Sequence, residues 1–114
     1  MKKILLFGFD ELPVILAVEE AAKPFDAEVV VVPRNSYGQT LSSLLEKGPI
    51  PGIQGLPLGE PMMVFCGLNE ELDDLLPTLP PNNWLKAGLT PSNRGWNAAR
   101  LFGELRRERR ALQQ

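Results

Sequence analysis

The sequence predicts an α/β domain in which strands and helices alternate around a small, mostly parallel four-stranded sheet. Two observations lead to this prediction. Short apolar runs, one of them with four consecutive valines, recur along the chain and are typical of strands buried on both faces. Stretches with apolar residues at helical spacing separate these runs, and glycine or proline stands near most boundaries. Because strand–helix–strand units form right-handed crossovers, we expect helices on both faces of the sheet.

Four apolar runs are the predicted strands, and they span residues 3–8, 27–32, 62–66 and 85–89. Each is followed by a polar residue that suits the N-cap of the next helix, namely Asp10, Ser36, Asn69 and Thr90. The last helix is predicted over residues 95–112 and is basic. For the sheet we expect the strand order 2-1-3-4, with an antiparallel edge strand as the alternative arrangement.

One long segment, residues 48–61, interrupts the alternation. Eight of its fourteen residues are glycine or proline, so we expect a loop without a helix or a regular strand. The segment is unusually apolar for a loop, which predicts that it lies against the domain or against a partner. Its candidate partner surface consists of four apolar side chains, Ile50, Ile53, Leu56 and Leu58.

Length and composition predict one domain over residues 1–114. With 44% apolar residues, a chain of 114 residues can bury a core without metals or disulfides. Its one cysteine, Cys66, allows no internal disulfide and predicts a cytoplasmic location. The apolar run after Lys3 is too short for a signal peptide, and no segment approaches the roughly 20 apolar residues of a membrane span. No internal repeat is evident in the sequence.

The most informative feature of the composition is that histidine is absent. This excludes Ser-His-Asp and Cys-His nucleophile systems, histidine general bases and nearly all zinc sites. Gly8 stands alone after the first strand, so the glycine-rich turn of a dinucleotide site is missing, and there is no P-loop. The acidic residues 70–74 lack the spacing of a calcium loop. We therefore expect no cofactor and no metal, and we favour a protein that is not an enzyme.

Polar residues follow each predicted strand. If the sheet is parallel, all four strands end at one edge, where ligands collect in folds of this kind. The residues there form a candidate ligand rim, made of Asp10, Glu11, Arg34, Asn35, Cys66, Asn69, Thr90 and Asn93. The alternative is that several of them serve only as helix caps. Cys66 could gain reactivity from the dipole of the following helix, although a buried core thiol is the commoner role.

Charge is unevenly distributed along the chain. Half of the twelve basic side chains lie in residues 94–114, whereas the preceding part of the chain is acidic. The arginines of the last helix could contact nucleic acid, or they could serve the helix dipole and pair with Glu104 and Glu108. We favour the structural role, because no aromatic residues alternate with these arginines for base stacking.

The third predicted strand and the turn after the fourth resemble a known family. Residues 64–68, followed by residues 89–96 and a charged helix, are similar to a group of small bacterial proteins catalogued only as a domain of unknown function. The resemblance covers about residues 62–110, and its most specific part is the motif Thr-Pro-x-Asn-x-x-Trp at residues 90–96. The resemblance implies no particular activity.

The sequence leaves three functions open. We favour a non-catalytic binding or regulatory module that acts on an unknown protein partner or as a homodimer. The first alternative is a small-molecule sensor or a small enzyme with a polar pocket at the strand ends. The second is a nucleic-acid accessory protein that uses the basic last helix, although the acidic charge of the whole chain argues against it.

Overall fold

The structure is a computed structural model that describes residues 2–112, and these contain four strands and four α-helices. The strands are β1 (Lys3–Phe7), β2 (Glu28–Val32), β3 (Met62–Cys66) and β4 (Leu85–Gly88). The helices are α1 (Leu12–Ala22), α2 (Leu41–Lys47), α3 (Leu72–Leu75) and α4 (Ala98–Leu112). Short 3-10 turns span Lys23–Phe25, Arg34–Ser36 and Leu76–Thr78. Met1 and residues 113–114 of the predicted domain lie outside the described residues.

The four strands form one sheet in the order β2-β1-β3-β4, as predicted. Both outer pairs, β1–β2 and β3–β4, are parallel, but the central pair β1–β3 is antiparallel. The sheet is therefore mixed. The alternative of an antiparallel edge strand is also wrong, because the change of direction lies in the middle of the sheet.

The linker, residues 48–61, produces this change of direction. α2 returns the chain to the edge where β1 begins, since the Lys3 ammonium lies 3.4 Å from the carbonyl oxygen of Leu45. A parallel third strand would need only a short connection from there. The linker instead runs back along the sheet, so that Met62 begins β3 opposite Phe7, the last residue of β1.

The central strands supply two cores, because alternate side chains point to opposite faces of the sheet. One core packs strand residues against α1 and α3 and includes Ile4, Leu6, Val18, Phe65 and Leu75. The other packs strand residues against α2 and α4 and includes Leu5, Leu44, Val64, Leu101 and Phe102. Helices thus cover both faces, as predicted, and every residue of β3 is buried.

The helices begin later than predicted. None of them uses the predicted caps Asp10, Ser36, Asn69 and Thr90. The Thr40 hydroxyl caps α2 by accepting the backbone N–H of Ser43 at 3.1 Å. The Asn97 side chain does the same for the N–H of Arg100, also at 3.1 Å. The last helix therefore starts at Ala98 and not at residue 95, because the chain after β4 first forms a separate turn.

The two halves of the chain repeat one arrangement. The first half, residues 3–47, and the second half, residues 62–112, both follow the order strand, helix, strand, helix. In each half the first residue of one strand lies opposite the first residue of the other. β1 and β3 are antiparallel, and their middle residues, Leu5 and Val64, lie opposite each other. An approximate two-fold axis perpendicular to the sheet therefore relates the halves.

Equivalent positions in the halves have the same local structure. Gly8 and Gly67 follow the first strand of each half, and their φ angles are 79° and 71°. Such positive values favour glycine over residues with a Cβ. Thr40 and Asn97 each cap the second helix of their half, and they pair with each other in an isolated antiparallel bridge. The repeat that is not evident in the sequence is present in the structure.

Candidate functional site

The antiparallel central pair gives the sheet two different edges. At one of them β1 and β2 end and β3 and β4 begin, and we call it the first edge. The opposite edge, where β3 and β4 end, is the second edge. Four residues of the candidate ligand rim lie at the first edge, namely Asp10, Glu11, Arg34 and Asn35. The other four, Cys66, Asn69, Thr90 and Asn93, lie at the second edge.

The expectation of one shared rim is therefore wrong. It required four parallel strands, and the reversal between β1 and β3 separates the eight residues by the length of the sheet. A site that used both groups at once would need side chains to reach from one edge to the other. Whether either group binds a ligand by itself stays a prediction.

The first edge offers a small cavity near its acidic residues, and a separate depression of about 350 Å³ is lined by Arg34, Asn35 and Gln54. Asp10 and Glu11 are exposed and line a depression of about 70 Å³ together with Phe9 and Trp84. Two of its lining side chains contact each other, since the rings of Phe9 and Trp84 meet edge to face at 4.9 Å. This volume holds a few water molecules and is well below that of a ligand pocket.

Asn93, which the rim assigns to ligand binding, is occupied by its own turn. Its side-chain oxygen accepts the backbone N–H of Thr90 at 2.8 Å, and its amide donates to the carbonyl oxygen of Gly88 at 2.9 Å. The Thr90 hydroxyl in return accepts the N–H of Asn93 at 3.1 Å. Asn93 is only 7% exposed. These bonds fix the turn after β4 and leave little of the side chain for a ligand.

The second edge carries a larger pocket, which we call the second-edge pocket. Its volume is about 450 Å³, and it lies where the ends of β3 and β4 meet the end of α2. Six residues line it, Leu45, Glu46, Cys66, Gly67, Leu89 and Arg94. Three of these supply an apolar or weakly polar floor, and two carry opposite charges. Of the eight rim residues, Cys66 alone belongs to this lining.

The Cys66 thiol belongs to the floor of the pocket and not to a reactive centre. The residue is 2% exposed, and its sulfur lies 4.0 Å from the carbonyl oxygen of Val64. Burial raises the pKa of the Cys66 thiol to about 11, although the nearby charge of Lys3 acts in the opposite direction. Because a thiolate is the nucleophilic form, the thiol is a poor nucleophile at neutral pH.

Arg94 and Glu46 give the pocket its charge. Both side chains are exposed, and neither forms a salt bridge with another side chain among residues 2–112. A guanidinium can bind a carboxylate through two parallel hydrogen bonds. The pocket therefore combines an apolar floor with one anion-binding group and one acceptor.

The candidate partner surface on the linker is only partly available. Leu56 is 71% exposed and Ile53 is 39% exposed. Ile50 and Leu58 are half-buried, and Leu58 packs against the core beneath α2 and α4. The linker thus lies against the domain, as expected, and presents two apolar side chains to solvent.

Most arginines of α4 contact groups of the chain itself. Arg109 binds both carboxylate oxygens of Glu60, at 2.9 and 3.1 Å, and Arg107 binds Glu104 at 2.8 Å. Two further arginines lie over aromatic rings, Arg100 over Trp96 and Arg106 over Phe102. These contacts support a structural role for the basic helix, and its contact with nucleic acid stays a prediction.

Two further features bear on the class of site. Among residues 2–112, no three acidic or cysteine side chains lie close enough together to hold a metal ion. In the same part of the chain, no helix has the length and apolar character needed to cross a membrane.

The family comparison concerns the second half of the chain. Residues 61–112 match a family described as Domain of unknown function (DUF3783). The match confirms the resemblance predicted over about residues 62–110, and the function of that family is uncharacterised. The matched segment supplies four of the six residues that line the second-edge pocket. No curated protein and no solved structure matches the chain.

Sequence reasoning missed five of the six pocket residues, Leu45, Glu46, Gly67, Leu89 and Arg94. A signal was available in the two segments that follow β1 and β3. Residues 7–11 read Phe-Gly-Phe-Asp-Glu, and residues 66–70 read Cys-Gly-Leu-Asn-Glu. Aligning the chain on these segments places the large ring of Phe7 where the second half has a small thiol.

Proposed function

We propose that this protein is a non-catalytic binding or regulatory module that holds a small ligand in the second-edge pocket. The ligand has an apolar part, which lies on Leu45, Cys66 and Leu89, and an anionic group, which Arg94 binds. This combines the binding module and the small-molecule pocket that the sequence suggests separately.

One observation carries the proposal. At about 450 Å³ the second-edge pocket has the size of a ligand site, and it places an unpaired guanidinium beside an apolar floor. A charged side chain over apolar surface can bind the two ends of an amphipathic molecule. The polar side chain of the adjacent turn, Asn93, is hydrogen-bonded to Thr90 and Gly88. The pocket is therefore separate from the hydrogen bonds that hold this turn.

A non-catalytic role fits the chemistry of the lining. The raised pKa of the Cys66 thiol keeps it protonated at neutral pH, so it is a poor nucleophile. The acidic pair Asp10 and Glu11 is at the opposite edge. A cytoplasmic location remains part of the proposal, because a buried reduced thiol is ordinary there.

A thermal-shift screen of the full chain tests the proposal. A ligand at about 100 times its Kd adds about 2.7 kcal/mol to the free energy of unfolding, which raises the melting temperature by several degrees in a domain of this size. We expect small organic acids to give such a shift and Arg94→Gln to remove it.

The matched control is Arg34→Gln, which removes an exposed arginine from the first edge. It should leave every shift unchanged. A shift that disappears in Arg34→Gln but survives in Arg94→Gln would place the ligand at the wrong edge. If no compound in the panel shifts the melting temperature, the proposed function is wrong.

A protein partner on the linker is a second candidate, because Leu56 is 71% exposed and Ile53, three residues earlier, is 39% exposed. We propose a second copy of this chain as that partner. Sedimentation of the full chain should then show a dimer that Leu56→Ser dissociates, while Leu112→Ser, at the still more exposed end of α4, has no effect. A monomer at all concentrations would rule this contact out.

A further inference from the structure

We propose that the second-edge pocket binds a small aromatic carboxylic acid, whose ring takes the place that the Tyr37 side chain takes in the first half. The proposal rests on the proposed function, because it names the ligand class for the same pocket. The two halves of the chain differ in what fills equivalent positions beside the sheet.

The two-fold axis gives the pocket residues counterparts in the first half. Cys66, Gly67, Leu89 and Arg94 correspond to Phe7, Gly8, Val32 and Tyr37, and Leu45 corresponds to Phe102. The register of β1 against β3 fixes the first pair, and the two glycines follow directly. The N–H of Leu89 donates to the carbonyl oxygen of Phe65, which continues the register of β4 to the third pair. The turns that follow β2 and β4 fix the pair of Tyr37 and Arg94.

These two turns have matching hydrogen bonds. The N–H of Gln39 donates to the carbonyl oxygen of Ser36 at 3.1 Å, and that of Trp96 donates to Asn93 at 2.9 Å. One residue further along, the two helix caps pair with each other across the axis. Tyr37, which follows Ser36, therefore occupies a position equivalent to that of Arg94, which follows Asn93.

In the first half an aromatic ring fills the space. Tyr37 is 6% exposed, and its ring lies 5.6 Å from the ring of Phe7 at an angle of 60°. Burial raises the pKa of the Tyr37 hydroxyl, and the nearby backbone of Gly8 opposes that rise. The ring and its hydroxyl thus reach from the turn after β2 to the glycine after β1.

In the second half the same space is open. Cys66 replaces the phenyl ring of Phe7 with a thiol, and the Arg94 side chain is exposed instead of packing inward as Tyr37 does. What remains is the second-edge pocket of about 450 Å³. A single aromatic ring therefore fits where the fold itself accommodates one in its other half.

The polar groups define the rest of the ligand. Arg94 stands at the position from which Tyr37 extends, so it meets a carboxylate attached to the ring by a short chain. Gly67 lines the pocket at the position equivalent to Gly8, whose backbone lies near the Tyr37 hydroxyl, so we place a ring hydroxyl of the ligand beside Gly67. Glu46 repels further negative charge, which favours a monoanionic acid over a phosphate ester.

Isothermal titration of the full chain with 4-hydroxyphenylacetate tests this inference. Two comparison compounds separate its parts: hexanoate keeps the acid without a ring, and tyramine keeps the ring with a cationic group. We expect both to bind about tenfold more weakly or worse, because each loses one of the two interactions. Arg94→Gln should weaken binding of 4-hydroxyphenylacetate by about tenfold.

A second variant tests the equivalence of the halves directly. Arg94→Tyr supplies the side chain that fills the first half, so it should abolish binding and raise the melting temperature. The control Arg110→Tyr, at an exposed position of α4, should change neither. If Arg94→Tyr leaves the affinity for 4-hydroxyphenylacetate intact, the inferred position of the ring is wrong.

The outcomes also separate this inference from the proposed function. If hexanoate binds as tightly as 4-hydroxyphenylacetate and Arg94→Gln weakens both, the aromatic ligand is wrong but the pocket still binds an acid. If none of the acids binds but another compound gives a shift that Arg94→Gln removes, the ligand class is wrong and the pocket stands. If nothing binds, both are wrong.

Discussion

The turn after β2 and the turn after β4 have equivalent backbones but different surroundings. In the first half the linker covers the turn, since the N–H of Gly38 donates to Ile53 at 2.8 Å. A Cβ on Gly38 would lie 2.6 Å from the carbonyl oxygen of Gln54, so a side chain there would collide with the linker backbone. At the equivalent Gly95 nothing lies within 4 Å. A repeated backbone thus becomes core in one half and surface in the other, according to what covers it.

The buried polar residues of the two turns show the same contrast. The Ser36 hydroxyl donates to the carbonyl oxygen of Ile50 at 2.9 Å and so ties its turn to the linker. The equivalent Asn93 bonds within its own turn and to Gly88 of the adjacent strand. The first turn therefore depends on the linker for its structure, whereas the second is complete without one and leaves its surface free.

The largest expected effect comes from giving the first half the small residue of the second. Phe7→Cys should lower the free energy of unfolding by about 3 kcal/mol, because a fully buried ring and its contact with Tyr37 are lost. Urea denaturation measures the difference. The reverse change, Cys66→Phe, should cost less than about 1 kcal/mol, since the pocket can accept the ring. Equal losses in both variants would contradict the difference between the halves.

Alkaline pH should reveal a second difference between the two halves. The Cys66 thiol can lose a proton, whereas Phe7, at the equivalent position in the first half, has no group that titrates. Burial raises the pKa of the Cys66 thiol from 9.0 to about 11. The folded state holds this proton more tightly than the unfolded state, so the thiol's contribution to stability is complete below pH 9 and is lost between about pH 9 and 11. The loss should be about 2 to 3 kcal/mol.

Unfolding of the wild type and of Cys66→Ala at a series of pH values isolates this effect. The other titrating groups are common to both proteins and cancel in the comparison. We expect the stability difference between the two proteins to shift in favour of Cys66→Ala as the pH rises from 9 to 11. A difference that does not vary with pH would mean that the thiol is not buried as described.

The linker contact can be broken with a matched pair of glycine substitutions. Gly38→Ala should destabilise the fold by about 2 kcal/mol, because the new methyl group forces the linker backbone away. Gly95→Ala should change stability by less than about 0.5 kcal/mol, since its surroundings are open. Thermal unfolding of both variants gives the comparison, and similar melting temperatures would show that the linker does not press on Gly38.

The smallest effect is expected where the longer helix of the second half meets the linker. α4 has fifteen residues and α2 has seven, and the end of α4 is held by the contact of Arg109 with Glu60. Both side chains are about one-third exposed, so Glu60→Gln should cost only about 0.5 to 1 kcal/mol. The cost should shrink in high salt, whereas Glu108→Gln, with no salt bridge among the described residues, should have no measurable effect.

The sequence predicted the strands and their order, because buried strands leave compact apolar runs that the turns then separate. It did not predict the direction of β3. The information was present in the linker, whose fourteen residues exceed what a parallel strand after α2 would need. The composition of the linker predicts an apolar surface, whereas its length predicts that it crosses from one edge of the sheet to the other.

The helix caps and the site were harder to predict for a related reason. Asp10 and Asn69 are good N-caps by residue type, but the backbone turns away after Gly8 and Gly67 before either helix begins. The candidate ligand rim required a parallel sheet, whereas the sheet is mixed. Arg94 could not be singled out without the two-fold relation, since an exposed arginine in a turn carries no pattern of its own.

The central pairing of β1 with β3 also determines when the protein can fold. β1 finds β2 as soon as residue 32 is available, but its other side stays unpaired until β3 has been synthesised. Ile4 and Leu6, which end fully buried, then belong to an open strand edge of a nascent chain. Such an edge can pair with another chain, so the interval before β3 emerges is the period in which this protein is most exposed to misassembly.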